Sequence, residues 1–257
     1  MVIATFSFYL VVIILVFFFQ DKLIFQSVKL SEKHQFSFDE SFNEYSIKTT
    51  DNVHINALHF KTENTATLGL VVYFHGNASN LQRWGEYAVD FTQLGYDVLM
   101  IDYRGYGKSN GSANEKALYH DAEFIWAWAK EKFDYQKWVI YGRSLGAAVA
   151  SHLATTTSPD LLGLETPFDD INGALAAKLI PYKFKYNFSN KNRLAPIDCK
   201  IIIFHGTQDW VVPLSSALKL RPLLKKEDQF IIIPKGGHKN LREFEVYHKK
   251  LKEFLLQ

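Results

Sequence analysis

Apolar and polar residues alternate with a period of two in EYSIKTT (44–50) and again in VHINALHFK (53–61), on either side of the turn residues Thr50, Asp51 and Asn52. That pattern predicts an antiparallel β-hairpin with one face buried. Beyond it the pattern changes. LGLVVYFH (68–75), YDVLMIDY (96–103), WVIYG (138–142), LLGLE (161–165), KIIIFHG (200–206) and FIIIP (230–234) are short runs apolar on both faces, as expected of strands buried inside a parallel sheet. Residues 81–94, 114–132, 145–156, 214–225 and 241–256 carry the helical period between them. Strand alternating with helix predicts an α/β architecture, a mostly parallel twisted sheet with helices on both faces. No internal repeat interrupts it. The one irregular stretch, Thr166 to Ile197, is rich in Phe, Tyr and Lys, and its length suggests a cap insertion over residues 166–197.

The N-terminus departs from this scheme. Val2 to Phe19 (VIATFSFYLVVIILVFFF) has no charged residue. As a helix rising about 1.5 Å per residue it would reach roughly 27 Å, close to the thickness of a bilayer's hydrocarbon core. A cleavable signal peptide would want a basic start and a small-residue cleavage site, and neither is present. The expected organisation is therefore a transmembrane anchor over 1–20, a juxtamembrane linker over 21–43 and a single domain over 44–257. Lys22, Lys29 and Lys33 follow the apolar run, which favours a cytoplasmic domain.

Charge and cysteine content narrow the function. The chain has 29 basic and 27 acidic residues, so no basic footprint for nucleic acid is expected. Cys199 is the single cysteine, which excludes intramolecular disulfides and multi-cysteine metal sites.

Candidate chemistry lies in the loops that follow the strands, where open α/β sheets bind ligands. Ser144 sits in GRSLG (142–146), directly after WVIYG and before the helical LGAAVASHLA. This strand, turn and helix order is the context of a nucleophile elbow. The flanking glycines allow close backbone approach, and the helix N-terminus lies beside the hydroxyl. A serine nucleophile requires a base and a group that orients the base. Asp209 follows the strand KIIIFHG, and His238 follows FIIIP, giving the order nucleophile, acid, base. Asp169 and Asp170 are the fallback acids. His205 falls inside a strand run and reads as a core histidine, His152 as a structural residue on the helix after Ser144. For a tetrahedral oxyanion, the expected donors are the main-chain N–H of Leu145 and one from the loop HGNASN, with Asn77 favoured and its neighbour Ala78 open. GYGKS in IDYRGYGKSNG is not a phosphate loop, because Asp102 stands where a Walker loop needs glycine and Asn110 where the dinucleotide pattern needs its third. Arg104 and Lys108 are expected to brace the sheet edge.

Taken together, the N-terminal apolar segment, HGN (75–77), YRGYGKS (103–109), GRSLG (142–146), GxxDxxVP (206–213) and GGH (236–238) resemble the α/β-hydrolase superfamily of serine hydrolases. More narrowly, they resemble its membrane-anchored branch of small esterase-like proteins. The resemblance spans Val2 to His238 and implies an α/β-hydrolase fold with a short cap, preceded by an N-terminal transmembrane helix. It also implies Ser144, Asp209 and His238 as the catalytic triad, with Leu145 and Asn77 as the oxyanion hole, and a chemistry that needs no metal or organic cofactor. Residues 166–197 follow no pattern of that branch. The expected activity is cleavage of carboxylic esters of small or lipid-like acyl substrates. Acyl-protein or acyl-CoA thioester hydrolysis and serine peptidase activity are the alternatives, and a catalytically silent, membrane-tethered binding module is the reading of another class.

Overall fold

The computed structural model describes residues 13–14, 16–172 and 184–257. Most of the expected anchor and the middle of the cap insertion, including Leu175, Ile180 and Tyr182, lie outside the described residues. Among the described residues, no helix is long and apolar enough to cross a membrane.

In chain order the strands are β1 (Gln26–Ser27), β2 (Phe42–Lys48), β3 (His54–Phe60), β4 (Gly69–Phe74), β5 (Ala78–Ser79), β6 (Tyr96–Ile101), β7 (Trp138–Arg143), β8 (Leu161–Glu165), β9 (Lys200–Gly206) and β10 (Gln229–Ile233). Besides a helical stretch over 16–24, the α-helices with both ends among the described residues are α1 (Leu81–Trp84), α2 (Val89–Thr92), α3 (Glu115–Lys132), α4 (Leu145–Thr156), α5 (Leu214–Ala217) and α6 (Glu245–Leu255). Eight strands form one sheet in the order β10-β9-β8-β7-β4-β6-β3-β2. Pairing is parallel from β10 through to β6, and antiparallel at β6–β3 and β3–β2.

The doubly apolar strands have a direct cause in this layering. Leu70, Val72 and Phe74 of β4 join a core that includes Leu118, Ala122 and Ile125 of α3 and Ala147, Ala150 and Leu153 of α4. Val71 and Tyr73 of the same strand join a second core with Leu81 and Trp84 of α1, Phe91 of α2, and Tyr247 and Leu251 of α6. Both faces of β4 are thus covered, and an alternating strand could not satisfy both.

Four expected elements differ, one being the helix expected over 241–256, which is split into a 3₁₀ turn, Leu241–Glu243, and α6 by the extended Phe244. The helix expected over 81–94 is broken by a 3₁₀ turn at Gly85–Tyr87. There the glycine lies so close to Phe38 that a Cβ would sit 2.3 Å from its ring. The helix expected over 214–225 is one α-turn followed by a 3₁₀ turn, Leu218–Leu223, that contains Pro222, a residue without the N–H an α-helix needs. The expected linker is packed on the domain: β1 pairs in parallel with β5 in a small separate sheet, and Phe36 and Phe38 join the second core.

Candidate active site

Ser144 stands at the junction of β7 and α4 with φ +53° and ψ −115°, a left-handed conformation costly for any residue with a Cβ. Close backbone contacts hold it there. A Cβ on Gly142 would lie 2.3 Å from the Gly146 carbonyl oxygen, and one on Gly146 would lie 2.0 Å from that of Phe74. The two flanking glycines therefore let the elbow press against the end of β4. Ser144 N–H donates to the Glu165 carbonyl at the end of β8 (2.9 Å), tying the elbow to the neighbouring strand.

The loops after β9 and β10 bring the other two expected residues to the serine. His238 Nε2 lies 3.1 Å from Ser144 Oγ, and His238 Nδ1 lies 2.7 Å from Asp209 Oδ2. The Asp209 carboxylate only accepts, so Nδ1 carries the proton and Nε2 is left to accept from the serine hydroxyl. Asp209 is itself fixed, because its Oδ1 accepts from the N–H groups of Val211 (2.9 Å) and Val212 (2.7 Å). The loops that carry Asp209 and His238 are also stitched together, with Gln208 N–H donating to the Gly236 carbonyl at 2.8 Å. Close approach of Gly206 to Gly236 permits this, since a Cβ on Gly206 would meet the Gly236 oxygen at 2.1 Å.

The fallback acids are occupied elsewhere. Asp169 accepts from Ser216 Oγ (2.5 Å) and Lys219 Nζ (2.7 Å), and Asp170 faces Lys191 at 3.8 Å. His205 is buried, with Nε2 bonded to the Val212 carbonyl (3.0 Å), and burial pushes its pKa below the usual value. His152 stacks on Tyr119 and bonds Glu123. Arg104 is paired with Asp121 and Asp51, and Lys108 with Glu44, so both brace the sheet edge.

A small pocket of about 30 Å³ opens at Ser144, walled by Ile24, Phe168, Ile171, Val211, Val212 and Leu145, with Asn77 beside them. Leu145 is the first residue of α4 and Asn77 follows β4. Neither main-chain amide has an acceptor among the described residues. Ala78 is drawn away into the β1–β5 ladder and does not line the pocket. Val211 of this wall is half-exposed, and its chain neighbour Trp210 is 91% exposed.

Two features escaped the sequence. Ile24 reaches the pocket from the expected linker. Arg143, inside GRSLG, is buried beneath the site, and its Nη2 donates to the His238 carbonyl at 2.6 Å. Its Nε faces the buried Glu165 Oε1 at 3.2 Å, and its guanidinium lies over Trp84 and Tyr87. Glu165 Oε2 accepts from Tyr141 (3.3 Å) and Tyr247 (3.2 Å). One residue, Glu165, thus contacts the elbow through its carbonyl and the His238 loop through Arg143. No single sequence shows that long-range pairing.

Comparison with known proteins narrows the setting. The esterase Pf2001 from Pyrococcus furiosus superposes with a TM-score of 0.71 at 18% identity, covering 89% of this chain and 98% of that one. The chain has the α/β-hydrolase fold. Residues 65–165, the part of that fold from β4 through the elbow to β8, match the family described as serine aminopeptidase, S33. The lysophosphatidylserine lipase ABHD12 of Danio rerio is 31% identical over 198 residues, which is 66% of this chain and 50% of that protein. An uncharacterised protein of Mycobacterium tuberculosis is 28% identical, over 75% of this chain and 70% of its own length. The chain thus spans about half the length of its ABHD12 relatives.

Proposed function

We propose that this chain is a serine hydrolase that cleaves carboxylic esters with apolar acyl groups through an acyl-enzyme. The observation that carries this is the continuous hydrogen-bonded line from Asp209 through His238 to a serine held in a strained elbow. In the proposed first step His238 Nε2 takes the Ser144 proton as Oγ attacks the ester carbonyl. Negative charge then collects on the former carbonyl oxygen, where the amides of Leu145 and Asn77 serve as donors. Collapse of this intermediate expels the alcohol, which receives the proton from His238. Water, deprotonated by the same imidazole, then attacks the acyl-serine and releases the acid. Asp209 holds the imidazole tautomer and offsets its positive charge at both stages.

The pocket wall supports an acyl rather than a peptide substrate. None of the described residues lining it is charged, whereas an aminopeptidase must hold a protonated α-amino group. Leu23 and Trp210, the chain neighbours of the lining residues Ile24 and Val211, are exposed apolar side chains, which suits a lipid-like ester, and a relative bears the name of a lysophosphatidylserine lipase. Val2–Phe19 tethers the domain to a membrane in this proposal, with the lysines that follow on the cytoplasmic side, and Phe17, Phe18 and Phe19 are exposed. Hydrolysis by the full chain of matched p-nitrophenyl esters, acyl-CoA thioesters and aminoacyl amides tests the assignment. Esters should turn over and amides should not. Amide cleavage with inert esters would overturn it.

A further inference from the structure

The proposed mechanism uses neither the YRGYGKS loop nor residues 24–30, yet both grip the main chain that carries the Asn77 amide. Three successive carbonyls there are each held by an aromatic side chain. Tyr103 Oη donates to the His75 carbonyl (2.7 Å) and Tyr106 Oη to the Asn77 carbonyl (2.8 Å), while His75 Nδ1 meets the Gly76 carbonyl at 2.6 Å. Only a protonated Nδ1 can donate to that carbonyl. The Gly76 carbonyl and the Asn77 N–H share one planar, trans peptide unit, so fixing the oxygen fixes the opposite direction of the N–H. The peptide units on both sides are held too, at a glycine whose backbone would otherwise turn freely.

The N-terminal segment closes the other side. Gln26 N–H donates to the Asn77 carbonyl (3.0 Å), and Asn77 Nδ2 donates to the Ile24 carbonyl (3.0 Å). The two arms are joined: Gly107 N–H donates to the Val28 carbonyl, Leu30 N–H to the Gly107 carbonyl, each at 3.0 Å, and Lys29 Nζ to the Ser109 carbonyl at 2.7 Å. Gly107 has φ +44°, and a Cβ there would fall 1.9 Å from Asp102 Oδ2, so only glycine lets the loop come this close.

We propose that Tyr103, Tyr106 and residues 24–30 form a clamp that aims the Asn77 N–H at the reaction oxyanion, with the tyrosines acting as positioning residues. What the amide does rests on the hydrolase reading above. The test is the Tyr103→Phe/Tyr106→Phe double variant of the full chain, with Tyr106→Phe alone as the milder second variant. Turnover is counted per serine titrated by a fluorophosphonate, which removes any loss of folded protein. Because an oxyanion donor acts in the transition state, kcat per site should fall roughly 10- to 100-fold while KM stays within about twofold. The Ki of a trifluoromethyl ketone, whose adduct carries the same oxyanion, should rise by the same factor. Amide hydrogen exchange over residues 75–79 should quicken in both variants. Unchanged exchange there overturns the clamp, as does unchanged kcat per titrated site. Exchange needs no substrate, so an inactive wild-type chain would remove the hydrolase reading alone and leave the clamp to be judged by exchange.

Discussion

Arg143→Met separates what the buried network contributes to stability from what it contributes to the site. Arg143 and Glu165 are both almost fully buried, at 2% and 0% exposure. Removing the arginine leaves the Glu165 carboxylate facing only the hydroxyls of Tyr141 and Tyr247. Stranding one partner of a buried pair costs about 3–5 kcal/mol. In a chain of this size each kcal/mol lowers Tm by about 2–4 °C, so Tm should drop by about 6–20 °C. The His238 carbonyl loses its donor at the same time, and slack in the base loop should reduce kcat roughly 10- to 100-fold. Adding Glu165→Gln removes the stranded charge. The double variant should therefore recover at least half of the lost Tm while kcat stays low, because nothing restores the hold on His238. Scanning calorimetry and ester kinetics on the wild type, both single variants and the double variant give the full cycle. A fall in Tm of less than about 2 °C for Arg143→Met, or recovery of kcat together with Tm in the double variant, would refute the reasoning.

Two further outcomes follow from other buried groups. Asp209→Asn should fold normally and lose on the order of 10⁴ in kcat, whereas Asp169→Asn should keep kcat and lose roughly 1–3 kcal/mol of stability, since it breaks the bonds from Ser216 and Lys219; the opposite ranking in paired kinetic and melting experiments would move the acid. Thermal stability should be level above about pH 6.5 and fall as pH drops below it, because burial holds His59 and His205 beneath their ordinary value of 6.5 and the unfolded chain takes up those protons first. A second loss should come below about pH 4, where the unfolded chain protonates Asp97 first; burial pushes that carboxyl up, but bonds from His59, Tyr135, the Thr62 N–H and Lys61 outweigh it and hold it below the carboxylate range. A melting temperature constant from pH 8 to 5 would contradict the first assignment.

Much of the sheet is legible in the chain because parallel strands covered on both sides must be apolar at every position, as Ile201, Ile202 and Ile203 in β9 are. Helix α3 is legible for the complementary reason, a 3.6 period that buries Leu118, Ala122, Ile125 and Ala129 and an Asn114 cap whose side chain accepts from Ala117 N–H at 3.0 Å; α4, buried on nearly every side, is legible from its alanine-rich composition. Ser144, Asp209 and His238 stand out because each lies where the chain leaves a strand, at the end of β7 or in the loops after β9 and β10. The clamp was hidden by its brevity. β1 and β5 are two residues each, too short for any period, and their pairing depends on backbone groups that every residue carries. The tyrosines of YRGYGKS stand in plain view, but nothing in the sequence shows their hydroxyls turning inward onto the carbonyls of His75 and Asn77. Arg143 gave no signal because its partner Glu165 lies on a different strand, and only the β7–β8 register, which sets Arg143 against Glu165, brings the two together.

The central claim is that Ser144 is a nucleophile activated by His238. Incubating the full chain with a fluorophosphonate, then digesting it and locating the adduct by mass spectrometry, tests this most directly. One adduct on Ser144, absent from Ser144→Ala and at least 100-fold slower to form in His238→Ala, is the predicted result. Labelling of another serine, or equal labelling of Ser144 without His238, would contradict it.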